Sequence, residues 1–270
     1  MALEFKFLWS SLIVYVAAGS LAVIGTVLGR NVERIFLALM TAALLLLGFF
    51  IGVRWIQVGH GPFSTMFDIL YSNIFSLSLI YTLAYWRIKQ IRPTAPFVFP
   101  LFLVMIGWLA VTDMDAAVLP PTFDTIWLIF HVAFGKVFLG SLLVSAAIAA
   151  SILLRRAGVS IEGLKKLPDD ESLDELAYRF VAVGLIFNIL MLVSGAIWAQ
   201  DAWGRYWAWD PLETWSFMTW LLLALAMHAR VTFKTTPAAG AVMVIAMFVV
   251  AFLTLFGIPF ISEQPHKGVI

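Results

Sequence analysis

The sequence has 270 residues, of which 62% are hydrophobic and 12% charged, with a formal net charge of +1. A soluble domain carries about 25% charged residues, and half that does not cover a globular surface. The same figures exclude disorder, which needs a polar, charged chain, and the near-zero charge gives no basis for nucleic-acid binding. This leaves an all-α, polytopic integral membrane protein lying in a lipid bilayer. The absence of cysteine removes disulfides, thiolate metal sites and thiol redox steps from the chain's own chemistry.

A bilayer-spanning helix needs about 20 mostly apolar residues. Eight stretches qualify, at roughly 7–29, 35–56, 64–86, 96–112, 126–154, 177–199, 214–231 and 238–261. The first follows an acid and lacks a small-residue cleavage pattern, so it reads as a retained span rather than a signal peptide. With no repeat or low-complexity tract, one membrane domain over 1–270 is the simplest organisation.

Lys and Arg in short loops set orientation. Arg30, Arg34, Arg87, Lys89, Arg92, Arg155, Arg156, Lys165, Lys166, Arg230 and Lys234 fall on one side, against Lys6, Arg54, Arg205 and Lys267 on the other. Eleven against four makes the first side cytoplasmic. Both termini and the loops 57–63, 113–125 and 200–213 then face outward. Segment 155–176 reads as a solvated cytoplasmic loop, its acidic run Asp169–Glu175 opening the sixth helix.

In chain order, the first chemistry-bearing residue is His60, in Gly59-His60-Gly61-Pro62-Phe63-Ser64 before the third span. His131 follows Pro120-Pro121 and Trp127. Its helix, read as 29 residues, is about 43 Å long at 1.5 Å per residue, against a hydrocarbon core of about 30 Å. With Leu154 at the inner boundary, His131 lies just outside the hydrocarbon. Lys136, five residues on, needs a charge partner: a ligand carboxylate, Asp68, or the interface reached by snorkelling.

The segment Trp198 to Trp215 holds five of the eleven tryptophans, with Trp220 close behind. A membrane-anchoring belt places one or two per helix end, whereas this density within one outward loop suits a large flat apolar ligand. Gly204 and Pro211 mark turns. Asp201, Asp210 and Glu213 add polar points, and Arg205 adds a fork that matches carboxylates. His228 lies about 21 Å of helix beyond Thr214, so one ligand does not touch both ends. His266 lies in the outward tail. A neutral imidazole in a membrane protein either packs through hydrogen bonds or ligates iron.

Trp203-Gly204-Arg205-Tyr206-Trp207-Ala208-Trp209-Asp210-Pro211 resembles the WWD motif of heme-handling proteins, Trp-Gly-x-x-Trp-x-Trp-Asp-Pro. Tyr178-Arg179 before it, and Glu213-Thr214-Trp215, Thr219-Trp220 and His228-Ala229-Arg230 after it, are similar to the CcsA/ResC branch, one half of the system II cytochrome c synthetase. The resemblance covers about residues 50–270. It implies transport of heme b across the membrane and its attachment to the Cys-x-x-Cys-His segment of apocytochrome c, together with a CcsB/ResB partner. Such a chain acts in a plasma, inner or thylakoid membrane as part of a cytochrome c heme lyase. The substrate supplies the thiols, so a chain without cysteine can take part.

The resemblance also implies site residues. His131, in Trp127-Leu-Ile-Phe-His131-Val132, and His266, after Phe256-Gly257, correspond to the two external axial ligands of heme iron. The surroundings of His266 depart from the pattern, reading Gln264-Pro265-His266-Lys267-Gly268 where the family has Gly-Leu-His-Ser-Tyr. His228 corresponds to a ligand of a second heme whose other ligand comes from the partner. His60 resembles the histidine of Gly-His-Phe-Pro-Leu-Ser-Asn-Leu-Tyr-Glu, with Asp68 in place of the glutamate, and reads as support for the outer site or as packing. Trp198, Trp203, Trp207, Trp209, Trp215 and Asp210 form the platform; by residue type and position, rather than by the resemblance, Arg205 is a candidate propionate contact and Lys136 reaches a propionate, Asp68 or the interface. The alternatives are a heme exporter or chaperone without ligase activity, like CcmC, and a regulatory membrane protein similar to HemX.

Overall fold

A computed structural model describes residues 3–258. It contains eight long helices: α1 Leu3–Val27, α2 Glu33–Val58, α3 Met66–Arg87, α4 Ala95–Val111, α5 Ile126–Arg156, α6 Asp170–Trp203, α7 Pro211–Phe233 and α8 Pro237–Phe256. All eight are long and apolar enough to cross a bilayer, α4 together with the 3-10 turn Lys89–Thr94 before it. The protein is an integral membrane protein. No strand occurs among the described residues.

Local chemistry sets the helix ends. Thr65, Asp169, Asp210 and Thr236 cap α3, α6, α7 and α8, each side chain accepting a backbone N–H three residues on. Pro211 and Pro237 occupy first-turn positions where a missing N–H costs nothing. Gly59 and Gly204 close α2 and α6 in the left-handed conformation, at φ 84° and 76°.

α5 is the spine of the bundle. In its most apolar window 78% of residues are buried, against 22% for α7, so α5 runs through the interior while most of α7 faces outward. Small residues make this possible, since close backbone approach drives helix packing in lipid. A Cβ on Gly140 would meet Ile80 at 2.4 Å, and the Ser145 hydroxyl donates to the Ala177 carbonyl at 2.9 Å. The main core takes residues from all eight helices. A separate small core of Phe63, Leu119, Leu128 and Trp198 lies at the end of the bundle that carries the tryptophans.

α6 differs from its sequence expectation. It starts at Asp170 rather than 177 and ends at Trp203 rather than 199. At 34 residues it is about 51 Å long and extends past a ~30 Å hydrocarbon core. Hydropathy reads only the lipid-buried part of a helix, whereas the caps at Asp169 and Gly204 set its ends. The segment expected as a loop over 155–176 shrinks to 157–169, and the tryptophan connector shrinks from 200–213 to 204–210.

The opposite, basic end is held by ion pairs. Arg155 and Arg156 both engage Asp170, and Arg92 engages Glu33. Arg230 donates to Asp174 at 2.8 Å, and its guanidinium lies 4.0 Å from the Tyr178 ring centroid. This contact ties α7 to α6 and gives Tyr178 and Arg230 a shared structural role.

Candidate functional site

His131 sits in the second turn of α5, facing α6. Its Nδ1 lies 2.8 Å from the carbonyl of Met191. A carbonyl only accepts, so Nδ1 carries the proton and Nε2 carries the lone pair. The ring stacks on Trp198 at 6.3 Å between centroids and 11° between planes. Gly195 gives the ring its space, because a Cβ there would fall 2.5 Å from Nδ1. Met191, Gly195 and Trp198 recur every three or four residues, so one face of α6 cradles the imidazole.

His131 lines a cavity of about 210 Å³ formed by α3, α5, α6, α7 and the end of α8. Phe63, Leu128, Val132, Leu192 and Phe256 make much of its wall apolar. Besides His131 and the indole N–H groups, the polar points are Ser72, Asn73, Lys136, Tyr206, Glu213 and Ser216. Lys136 is half-buried there and donates to the Ser72 hydroxyl at 2.9 Å. Of the partners expected for it, Asp68 is excluded: Asp68 pairs with Arg54 at 3.2 Å and accepts from Tyr71 at 3.0 Å.

The tryptophans divide into two groups. Trp198 and Trp203 both belong to α6 and pack edge to face at 4.9 Å, each also against Phe123. The Trp198 indole donates to the Phe123 carbonyl at 3.0 Å. Trp207 and Trp209 lie in the connector, 5.6 Å apart, and both meet Phe217 of α7, which stacks on Trp220. Of the expected platform, Trp198 and Trp207 line the cavity, whereas Trp203, Trp209 and Trp215 do not. Trp215 lies on α7 and is largely exposed. Arg205 is exposed in the connector and does not line the cavity either.

The acids of the motif build the turn. The Asp210 carboxylate accepts the Glu213 N–H at 2.9 Å, and the Glu213 carboxylate accepts the Ala208 N–H at 2.7 Å. This is a reciprocal capping arrangement, with the second bond reaching two residues farther back than usual. Between them Trp209 has φ 59°, a conformation that costs a non-glycine residue roughly 1–3 kcal/mol. Trp-Asp-Pro-x-Glu thus specifies a sharp connector-to-helix turn.

His60 lies outside the cavity wall. Its Nε2 is 2.8 Å from the Ala117 carbonyl, and its Nδ1 lies 2.9 Å from the Gly61 carbonyl and 3.1 Å from Ser64 Oγ. It ties the 59–65 loop to the 112–125 loop. His228 is exposed on α7 near the basic end, 3.4 Å from Thr232 Oγ1, well removed from His131 along the bundle. His266 lies outside the described residues. Among the described residues no three of His, Asp and Glu gather where a bare metal ion could be held.

Sequence reasoning did not single out Ser72, Met191 or Gly195. Two act through backbone or through the lack of a side chain, and all three depend on packing between helices. The only signal was spacing: Met191, Gly195 and Trp198 share a helix face.

Residues 63–266 match the family described as cytochrome C assembly protein. The chain is similar to the cytochrome c biogenesis protein CcsA of Trachelium caeruleum, with 27% identity over 85% of this chain and 83% of the relative. The CcsA of Prochlorococcus marinus strain MIT 9515 is 29% identical over 79% and 77%, and that of Chlamydomonas reinhardtii 30% identical over 85% and 67%. The family match begins at Phe63, in the cavity wall, and takes in α3 to α8. With three quarters of its length matched, this chain belongs to the cytochrome c assembly protein family.

Proposed function

We propose that this chain serves cytochrome c biogenesis by holding heme b at the tryptophan end of the bundle and presenting it to apocytochrome c. The end that carries the tryptophan connector faces outward, following the Lys and Arg asymmetry. A CcsB/ResB-type membrane subunit completes the cytochrome c heme lyase, in a plasma, inner or thylakoid membrane.

One observation carries the reading: His131 Nδ1 is fixed on the Met191 carbonyl, which puts the ring's lone pair on Nε2 beside the Trp198 indole, in the wall of a mostly apolar cavity. A carbonyl behind a ligating imidazole sets its tautomer and raises its basicity. The donor set also fits heme. Trp207 Nε1 is buried without an acceptor, and Lys136 supplies a cation in the same wall. Heme is the substrate here, and its vinyl groups are the points at which the apocytochrome thiols attach.

This chain's own residues bind, orient and exclude water. His131 holds the iron from one side, and His266, beyond the described residues, is the proposed ligand on the other. Trp198 and Trp207 shield the cavity. At about 210 Å³ the cavity is smaller than the roughly 300–1,000 Å³ of most ligand pockets. Catalysis of this kind is mainly positioning, which contributes up to about 7–11 kcal/mol. His228, exposed on α7, is the proposed ligand of a second heme shared with the partner subunit.

The test is the absorption spectrum of the protein purified with its partner. The wild type is expected to show six-coordinate heme with two nitrogen ligands. His131→Gly is expected to lose this signature and regain it with added imidazole. A heme-free complex that matures no cytochrome c would overturn the reading.

A further inference from the structure

Two donors in the cavity wall lack an answering charge among the described residues. The first is Lys136. One of its three ammonium hydrogens goes to Ser72 Oγ at 2.9 Å. The Ser72 hydroxyl itself points to the carbonyls of Pro62 and Ile69, both at 3.2 Å. Ser72 therefore meets Lys136 with a lone pair, steering the ammonium without neutralising it. None of the ion pairs among the described residues includes Lys136. The second donor is Trp207 Nε1, buried with no hydrogen-bond partner among the described residues. An indole N–H only donates. Both residues line the same cavity.

Buried charges and donors are normally matched. The complement of an ammonium and an indole N–H is an anion with several lone pairs, such as a carboxylate. The rest of the wall is mostly apolar, so the anion arrives on a largely apolar body. The wall's own carboxylate, Glu213 of α7, is committed to the Ala208 N–H at 2.7 Å. The cavity thus presents a cation from α5 and a carboxylate from α7, a polarity that gives an acidic ligand one preferred orientation.

The geometry points to an anion subsite, built by Lys136 with Ser72 behind it and by Trp207 Nε1, that takes a porphyrin carboxylate and fixes which edge of the macrocycle enters the cavity. This rests on the heme reading above. Lys136 acts as an orienting residue, and the iron remains with the histidines.

Titration of the purified chain, in uncharged detergent, with iron protoporphyrin IX and with its dimethyl ester separates the two ideas. The wild type is expected to bind the diacid about ten-fold or more tightly than the diester, the scale of one charge-assisted hydrogen bond. Lys136→Met is expected to bring diacid affinity down to that of the diester and leave the diester unchanged. Ser72→Ala, which keeps the charge but removes its guide, is expected to narrow the difference several-fold. Equal wild-type affinity for both porphyrins would overturn the subsite and leave the heme reading standing. So would a Lys136→Met effect equal on both, which marks a merely structural lysine. A wild type that binds neither porphyrin overturns the heme reading and the subsite together.

Discussion

The imidazole of His131 rests on the bare backbone of Gly195: a Cβ there would lie 2.5 Å from Nδ1. That nitrogen is also the one bonded to Met191, one turn earlier on α6. Alanine for glycine inside a helix ordinarily stabilises by about 1 kcal/mol. At this position overpacking, typically about 1–3 kcal/mol, opposes the gain. Gly195→Ala is expected to push the ring off Met191 and weaken heme retention about ten-fold, with little change in melting temperature. Absorption spectra and thermal melts of the purified variant test this. Wild-type heme affinity in Gly195→Ala would show that the Met191 contact does not set the ligand.

Asp210 and Glu213 cap α7 and close the connector on itself. Asp210→Ala is expected to cost about 1 kcal/mol and to raise amide hydrogen exchange over 204–210. Asp210→Asn keeps a side-chain acceptor and is expected to recover most of the loss. An asparagine variant as unstable as the alanine one would mean that the carboxylate's charge, rather than its capping, matters.

Arg54 and Asp68 form a pair whose side chains are 9% and 4% exposed. Tyr71 donates to the same carboxylate, and Arg54 also donates to the Met114 carbonyl at 3.0 Å. Removing one partner of a buried pair leaves a lone charge, at a cost of about 3–5 kcal/mol. Arg54→Met is therefore expected to be strongly destabilising, and the double variant Arg54→Met/Asp68→Leu to recover much of the stability. Denaturation of the four proteins of this cycle in detergent measures the coupling. A double variant no better than Arg54→Met would remove the ion pair as the source.

Asp169 caps α6 outside the spans. Hydrogen bonds from the Ser172 N–H and hydroxyl hold its carboxyl below the usual carboxylate range. A depressed folded-state value means that the cap's contribution is fully present above the unfolded value of about 3.9. It is lost as pH falls through the folded one. The first turn of α6 is expected to fray on acidification below about pH 4 in the wild type, while Asp169→Asn abolishes that dependence. Hydrogen exchange of the 170–173 amides as a function of pH reads it out. Identical pH profiles in the two proteins would assign the fraying to another acid.

Much of the fold was legible because lipid imposes a simple rule: every spanning backbone group bonds within its own helix. Eight apolar stretches therefore became eight helices, and the turns marked at Gly204 and Pro211 are kept by the structure as the end of α6 and the start of α7. Helix ends beyond the hydrocarbon were less legible. The first turns of α6 bury Leu173 and Asp174 through contacts with other segments, and hydropathy does not register such contacts.

The candidate site divides the same way. His131, Lys136 and the tryptophan motif stood out by residue type and spacing. Their partners did not, because Met191 contributes a carbonyl, Gly195 an absence and Ser72 a hydroxyl from a helix about sixty residues away in sequence. The motif also proved more structural than its composition implied. Two of its acids form a cap, and Trp198 and Trp203 belong to α6 rather than to the connector.

By itself, then, the sequence determined the solvent, the number of spans and the candidates for the site, since composition and period follow directly from burial in lipid. Only the tertiary structure decided which residues share one cavity. It set His131 against Met191, gave Lys136 the Ser72 hydroxyl, left Trp207 Nε1 without an acceptor among the described residues, assigned Asp68 to Arg54 and placed His60 between two loops. Those outcomes rest on how α3, α5, α6 and α7 pack, and packing depends on close contacts between residues far apart in the chain.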